Sequence, residues 1–182
     1  VVVPWQKVIP ADGMSTRDCA LIEPMSVGFH AVDNAGVKDN EVVMVIGCGM
    51  VGLGAVVRAA IRGAIVIAVD LDDEKLALAK EVGAMYVINS KTTNVHDEVM
   101  RISQGFGADV VIEAVGHPAT YNMAIDEVSF TGRVVYIGYA KSEVAFQTKL
   151  FVQKELTIRG SRNALPEDFR AVIHYLNQHD FP

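Results

Sequence analysis

Three glycines and one aspartate are the residues whose types and spacing first indicate chemistry in this chain. Gly47, Gly49 and Gly52 follow an apolar run that ends at Ile46, and Asp70 stands 18 residues after Gly52, at the end of a second apolar run. A G-x-G-x-x-G pattern by itself is a weak signal. Its position between a predicted strand and a predicted helix, with an acid after the next strand, is typical of dinucleotide binding.

Each position in this turn has a physical role in such a site. Gly47 permits the tight turn off the strand, Gly49 allows a pyrophosphate to approach the backbone, and Gly52 allows the helix to pack closely. The helix predicted to begin near Met50 directs unpaired N–H groups and the positive end of its dipole towards the phosphates. Asp70 would accept hydrogen bonds from the adenosine ribose and repel a 2′-phosphate, and no arginine follows it, which favours NAD over NADP. The alternative is a glycine-rich turn that holds no ligand.

Length, charge and cysteine content limit the possible classes of protein. The chain has 182 residues, of which 51% are hydrophobic, enough for one domain with a core and an extension. The net charge of −6 and the absence of a basic patch argue against a nucleic-acid partner. Cys19 and Cys48 are the only cysteines, which excludes a disulfide framework and a cysteine-rich structural zinc site within this chain. No apolar run approaches a transmembrane length and no signal peptide is visible, so we expect a cytoplasmic protein without a membrane partner.

Strand-like and helix-like segments alternate through the chain, which predicts an α/β fold. Predicted strands cover residues 42–46, 65–69, 85–89, 109–113, 133–137 and 156–159. Their continuous apolar character is typical of a parallel sheet covered on both faces. Six such strands match a Rossmann-type doubly wound sheet of order 3-2-1-4-5-6, in which ligand binds beyond the carboxyl ends of the strands.

Three segments are less regular than the rest. Residues 1–9 predict either a short edge strand that contains Pro4 or a chain that crosses between domains. Residues 16–35 predict two helical pieces, with Pro24 at the first position of the second piece. Residues 142–154 have some β character without a clear period.

Six segments carry a resemblance to one family. They are ALIEPMSVGFHA (20–31), VMVIGCGMVGLGA (43–55), AVDLDDEKLALAKEVGA (68–84), ADVVIEAVG (108–116), GRVVYIGY (132–139) and GSRNALPEDF (160–169). The chain resembles the cofactor-binding half of the zinc-dependent medium-chain alcohol dehydrogenases. Within them it is most similar to the polyol and sugar-acid branch of sorbitol, threonine and galactonate dehydrogenases, to which the first and last segments are specific.

The resemblance implies a piece of a longer enzyme. In the family, a catalytic domain built from flanking segments supplies most ligands of the catalytic zinc, typically a cysteine and a His-Glu pair that would precede Val1. Residues 1–35 would then be a strand and helical segment that leads from this domain, and residues 36–182 would form the NAD-binding Rossmann domain. The family also implies a homodimer or homotetramer, and we expect residues 142–156 at its interface.

The resemblance also implies roles for individual residues. Glu23 would be a zinc ligand, direct or through water, and Arg162 would reach the substrate. The implied cofactor contacts are Val27, Gly47, Gly49, Met50, Val51, Gly52, Asp70, Leu71, Lys75, Val115, Gly116, Ile137, Gly138, Tyr139, Ser161, Arg162 and Asn163. From spacing alone, Glu23 is equally a carboxylate stabilised by a helix dipole, Lys75 a solvated side chain and Arg162 one half of a surface ion pair.

The implied function is zinc-assisted oxidation of a small-molecule secondary alcohol, such as a polyol or sugar acid, by hydride transfer to NAD. The chain alone, without the catalytic domain, is expected to be inactive. A zinc-free quinone or enoyl reductase of the same fold is an alternative, disfavoured by Asp70 and by the Glu23-Pro24 pair. A non-catalytic NAD(H)-sensing domain is a second alternative. A methyltransferase is a third, disfavoured because Ile46 stands where the acid before its glycine turn is usual.

Overall fold

A six-stranded parallel sheet with helices on both faces forms the centre of the computed structural model, which describes residues 2–182. The strands are β1 (Val42–Ile46), β2 (Ile65–Asp70), β3 (Tyr86–Asn89), β4 (Ala108–Glu113), β5 (Val128–Tyr136) and β6 (Thr157–Gly160). The helices are α1 (Thr16–Ala35), α2 (Met50–Ile61), α3 (Asp73–Glu81), α4 (Val95–Ile102), α5 (Pro118–Glu127), α6 (Lys149–Gln153) and α7 (Pro166–Leu176). The strand order is β3-β2-β1-β4-β5-β6, and every neighbouring pair is parallel. The predicted α/β class and Rossmann order are therefore confirmed.

The apolar strands have helices on both sides, and β1 demonstrates this residue by residue. Val43 and Val45 belong to a buried cluster with α1, α2 and α7, whereas Met44 and Ile46 belong to a second cluster with α4 and α5. Successive side chains of a strand point to opposite faces, so a strand buried on both sides is apolar at every position. None of the helices between residues 2 and 182 combines the length and the apolar character needed to cross a bilayer.

The prediction of two helical pieces within residues 16–35 is wrong, because α1 is one continuous helix that includes Pro24. A proline inside a helix removes one backbone hydrogen bond and usually ends or kinks the helix. Here Met25 and Phe29, which follow the proline, are completely buried against the core, and they continue the buried face begun by Ile22. Burial of this face outweighs the local cost of the proline.

Two further predictions of local structure are wrong. Within residues 2–9 the chain forms a short 3-10 helix, Trp5–Lys7, and no strand. Residues 142–154 contain the short helix α6 in place of β structure. β5 also begins at Val128, earlier than predicted, because its first residue pairs with Ala108 of β4 before an irregularity in the register.

The crossing of α1 and α2 depends on two glycines that face each other. A Cβ atom on Gly28 would overlap the carbonyl oxygen of Val51, and one on Gly54 would lie 2.6 Å from the carbonyl oxygen of Met25. The two backbones therefore meet more closely than any side chain permits. This contact holds α1, which carries Glu23, beside the first turn of α2.

We predict that Gly28→Ala lowers the free energy of unfolding by about 1–3 kcal/mol, because the methyl group has no space between the helices. Urea unfolding followed by circular dichroism measures the loss. Gly160→Ala is the matched control, since a Cβ there meets no atom within 4 Å. Equal stability of the Gly28 and Gly160 variants would contradict the prediction.

Candidate functional site

The glycine turn after β1 has the conformation that its three glycines predict. Gly47 has φ +93°, and its N–H donates to the carbonyl of Val69 over 2.8 Å. Gly52 allows α2 to approach the turn, because a Cβ there would overlap the carbonyl oxygen of Gly47. A Cβ on Gly49 would meet no atom within 4 Å, so the space in front of this residue is open. The first turn of α2 thus faces an open cleft with its backbone N–H groups free for an anion.

Asp70 has a structural role in addition to the binding role predicted for it. Its Oδ2 accepts a 2.7 Å hydrogen bond from the N–H of Cys48, inside the glycine turn. Its Oδ1 accepts from the N–H groups of Leu71 and Asp72 over 2.7 and 3.1 Å. The carboxylate therefore ties the end of β2 to the turn after β1. A carboxylate has about four acceptor positions, so capacity remains for a ligand hydroxyl.

Two adjoining clefts lie beyond the carboxyl ends of the strands. The first, called here the Asp70 cleft, has a volume of about 650 Å³, and the second, the Ser161 cleft, about 300 Å³. Ala114, directly after β4, lines both. The carboxyl ends of parallel strands meet at one edge of the sheet, which is where doubly wound folds bind their ligands.

Most of the predicted cofactor residues line one of these two clefts. Gly47, Gly49, Asp70, Leu71, Lys75 and Val115 line the Asp70 cleft. Val27, Val51, Ile137, Gly138, Tyr139, Ser161, Arg162 and Asn163 line the Ser161 cleft. Met50, Gly52 and Gly116 lie in the turns beside the clefts and do not line them. These positions agree with the predicted roles but do not test them.

Glu23 is exposed on α1 and lines neither of these two clefts, although Val27, one helical turn later, lines the Ser161 cleft. Glu23 lines a third cleft of about 630 Å³ between the N-terminal segment, α1 and α7, together with Cys19 one turn earlier and Arg170 of α7. Within residues 2–182 no three acidic, histidine or cysteine side chains come together as a group that could hold a metal ion. Glu23 by itself is one donor, so the described residues alone do not form a zinc site.

Glu113, which ends β4 and is completely buried, was not among the site residues predicted from the sequence. Nor were Thr120 and Met123 of α5, which line the Asp70 cleft. An acid that ends an otherwise apolar strand is the one signal that could have drawn attention to Glu113, since Asp70 has the same setting. The α5 residues carry no such signal, because the helix reaches the cleft only through its packing on β4 and β5.

Three features of the clefts fit a dinucleotide. The open space before Gly49 at a helix N-terminus suits a pyrophosphate, and the Asp70 carboxylate suits a ribose diol. In the Ser161 cleft, the Oγ of Ser161 is buried and has no hydrogen-bond partner among the described residues. A buried hydroxyl of this kind suits a polar group such as a carboxamide.

Comparison with known proteins assigns the family. The sequence model described as zinc-binding dehydrogenase matches residues 50–178, which begin at Met50 inside the glycine turn and include Asp70 and the loops after β4, β5 and β6. The chain belongs to the zinc-binding dehydrogenase family. The family predicted from the six segments, including its polyol and sugar-acid branch, is thereby confirmed.

Relatives within the zinc-binding dehydrogenases point to that branch. The chain is 35% identical over 173 residues to L-galactonate-5-dehydrogenase of Escherichia coli K12 and 32% identical over 173 residues to a sorbitol dehydrogenase of Halalkalibacterium halodurans. Each alignment covers 93% of this chain and 50% of the relative, so the chain spans about half the length of these curated relatives. An alcohol dehydrogenase of Escherichia coli CFT073, solved with the cofactor NADH, aligns with a TM-score of 0.81 and 28% identity over 93% of this chain and 50% of its own.

We predict that the two cysteines of this domain differ sharply in reactivity. Cys48 is buried inside the glycine turn, and burial first, then the nearby Asp70 charge, raises its pKa to about 12. Because the raised pKa keeps the thiol protonated, only about one molecule in ten thousand carries the reactive thiolate at pH 8. Cys19 is exposed. A thiol-specific disulfide reagent should therefore titrate one thiol in the native chain and two in guanidinium chloride.

Cys19→Ser is the control for this measurement. Its native form should show no fast-reacting thiol, and full reactivity should appear on unfolding. Two thiols that react at equal rates in the native chain would mean that the turn around Cys48 opens readily.

Proposed function

We propose that this chain is the NAD(H)-binding domain of a zinc-dependent dehydrogenase that oxidises a secondary alcohol, such as a polyol or a sugar acid. Residues 36–182 bind the cofactor, and residues 1–35 carry Glu23 towards a catalytic domain. The names of the relatives, L-galactonate-5-dehydrogenase and sorbitol dehydrogenase, support this class of substrate. The chain without a catalytic domain is inactive towards alcohols.

The proposal depends on one cleft that is lined by both Asp70 and Gly49, with open space in front of Gly49. The carboxylate accepts from the ribose diol, and its charge repels a 2′-phosphate, so the domain prefers NAD to NADP. Lys75 lines the same cleft and lies over the ribose. The first turn of α2 holds the pyrophosphate through backbone N–H groups next to Met50 and Val51.

The Ser161 cleft holds the nicotinamide end of the cofactor. When bound there, NAD supplies a ring carbon that accepts the hydride. Val27 and Ile137 give apolar contacts to the ring, while the hydroxyl of Ser161 bonds the carboxamide. Arg162 and Asn163 stand at the same cleft, where Arg162 contacts the substrate. In the whole protein Glu23 contributes one ligand to the zinc, beside ligands that other parts of the protein supply.

We predict that Asp70→Ala weakens NADH binding by about 10–100-fold, because the charged acceptor for the ribose and the hydrogen bond that ties Cys48 to the end of β2 are both lost. Titration of this chain with NADH, followed by nicotinamide fluorescence, measures the dissociation constant. The unsubstituted chain should bind NADPH at least about tenfold more weakly than NADH, owing to the carboxylate charge.

Asp72→Ala is the matched control for Asp70→Ala. Asp72 stands two residues later and caps α3 by accepting from the N–H of Glu74, outside the cleft lining. NADH affinity should be unchanged in this variant. Equal binding of NADH by the Asp70 variant and the unsubstituted chain would refute the assigned role of Asp70.

We extend the proposal to self-association through the β6 edge of the sheet. β6 is the outermost strand and all four of its residues are exposed. The adjoining helix α6, inside residues 142–156, exposes Val152 by 80%. An exposed strand edge beside apolar surface favours pairing with a second copy of the chain.

We predict that Val152→Lys shifts the chain towards monomer, because it places a charge in this interface. Sedimentation velocity over a range of concentrations measures the shift. Phe106→Lys is the control, since Phe106 is 77% exposed but lies in the loop before β4, away from the β6 edge. The interface is misplaced if both variants associate as the unsubstituted chain does.

A further inference from the structure

Glu113 gathers three hydrogen-bond donors on one oxygen atom. Its Oε1 accepts from the N–H groups of Val115 and Gly116 over 3.0 and 2.9 Å and from the hydroxyl of Thr120 over 2.7 Å, a hydroxyl that it shares with the carbonyl oxygen of His117 at 2.8 Å. The side chain is completely buried at the end of β4. The Glu113 carboxylate therefore fixes the loop after β4 and links this loop to the first turn of α5.

The same residue also holds the loop after β5. The backbone carbonyl of Glu113 accepts from the N–H groups of Ile137 and Gly138 over 2.8 and 3.2 Å. The two loops touch each other where Gly116 faces Tyr139, since a Cβ on Gly116 would lie 2.6 Å from the backbone nitrogen of Tyr139. The two loops lie where the clefts adjoin and are together called here the ridge, since Val115 lines the Asp70 cleft, Gly138 lines the Ser161 cleft and Ala114 lines both.

Helix α5 also binds the loop after β5. Tyr121, next to Thr120, donates its hydroxyl to the carbonyl of Gly138 over 2.5 Å. Burial, and then the negative charge of Glu113, raises the pKa of Tyr121, so the hydroxyl remains a donor at neutral pH. Both loops are thus tied to Glu113 and to α5, with Thr120 on one side and Tyr121 on the other.

The second carboxylate oxygen of Glu113 is an unusual feature. Oε2 is buried and has no hydrogen-bond partner among residues 2–182. It lies against Gly138, where a Cβ would come within 2.8 Å of it. An unpaired buried carboxylate oxygen is costly, and in native proteins such groups concentrate where function requires them. A neutral acceptor would hold the loop after β4 without that cost.

We infer that Glu113 is a positioning residue for the cofactor: it fixes the ridge between the Asp70 cleft and the Ser161 cleft, so that a dinucleotide spanning both binds in one geometry. The inference rests on the proposed function. Glu113 does not touch the ligand, since it lies beneath both loops. It acts through the backbone of Val115 and Gly116 on one side and of Ile137 and Gly138 on the other. Its effect therefore falls on ligands that cross the ridge.

The test compares a ligand that crosses the ridge with one that does not. NADH spans both clefts, whereas 5′-AMP occupies the Asp70 cleft alone. In Glu113→Ala the dissociation constant of NADH should rise about tenfold and that of 5′-AMP by less than about threefold, because Gly49, Asp70 and Lys75 of the Asp70 cleft make no hydrogen bond with Glu113. The nicotinamide fluorescence of NADH bound to Glu113→Ala should also be weaker than that of NADH bound to the unsubstituted chain, since the nicotinamide no longer has one fixed environment.

Two variants separate positioning from simple stability. Glu113→Gln keeps an oxygen that accepts from all three donors, so NADH affinity should return to within about threefold of the unsubstituted chain. Asp109→Ala is the matched control. Asp109 is on the same strand and accepts from the N–H of Val42 over 2.8 Å, but at the opposite end of the sheet. NADH binding should be unchanged in it, whatever its melting temperature.

The outcomes distinguish this inference from the proposed function. If the unsubstituted chain does not bind NADH, the proposed function fails and the inference fails with it. If the unsubstituted chain and Glu113→Ala bind NADH equally, only the inference is overturned. It is also overturned if Asp109→Ala loses as much affinity as Glu113→Ala, or if NADH and 5′-AMP weaken to the same degree.

Discussion

The close approach of α2 to the turn after β1 is the contact on which the arrangement of the clefts depends. Gly52 has no Cβ, and any side-chain atom there would overlap the carbonyl oxygen of Gly47. The first turn of the helix can therefore lie directly over the strand end, with its N–H groups facing the open space before Gly49. Asp70 stabilises the same turn from the neighbouring strand through the N–H of Cys48. The N–H groups of the first turn of α2 thus supply the partial positive charge for an anion. The contact between Gly52 and Gly47 holds these groups in place.

Parallel pairing brings distant parts of the chain to this contact. The ends of β1, β2, β4, β5 and β6 lie at one edge of the sheet, so residues separated by more than a hundred positions line adjoining clefts. Glu113 shows how the sheet itself organises that edge. Its backbone continues the pairing of β4 with β5 into the loop at Ile137, while its side chain binds the loop after its own strand. One residue can do both because a strand end presents its carbonyl and its side chain in different directions.

Helix α1 illustrates where local rules give way to packing. The Glu23-Pro24 pair predicts a helix start, and the structure instead has a helix that passes through it. The outcome is decided by Met25, Phe29 and Gly28, which bury one face of α1 against α2 and the core. As a result, Glu23 sits on the exposed face of a continuous helix, in a cleft shared with α7. The family model matches residues 50–178, which lie beyond α1, so this difference does not affect the family assignment.

The sequence alone determined the α/β class, the strand order and the place of the glycine turn, because apolar runs of strand length, glycine spacing and a following acid are all local patterns. It also pointed to most of the residues that line the Asp70 and Ser161 clefts. Only the tertiary structure decided the continuity of α1, the position of Glu23 on its exposed face, and the hydrogen bond from Cys48 to Asp70. It likewise decided the role of Glu113, since an acid after an apolar strand reads the same whether it faces solvent or anchors two loops. These features depend on which atoms lie across a contact, and that information arises only when distant segments pack together.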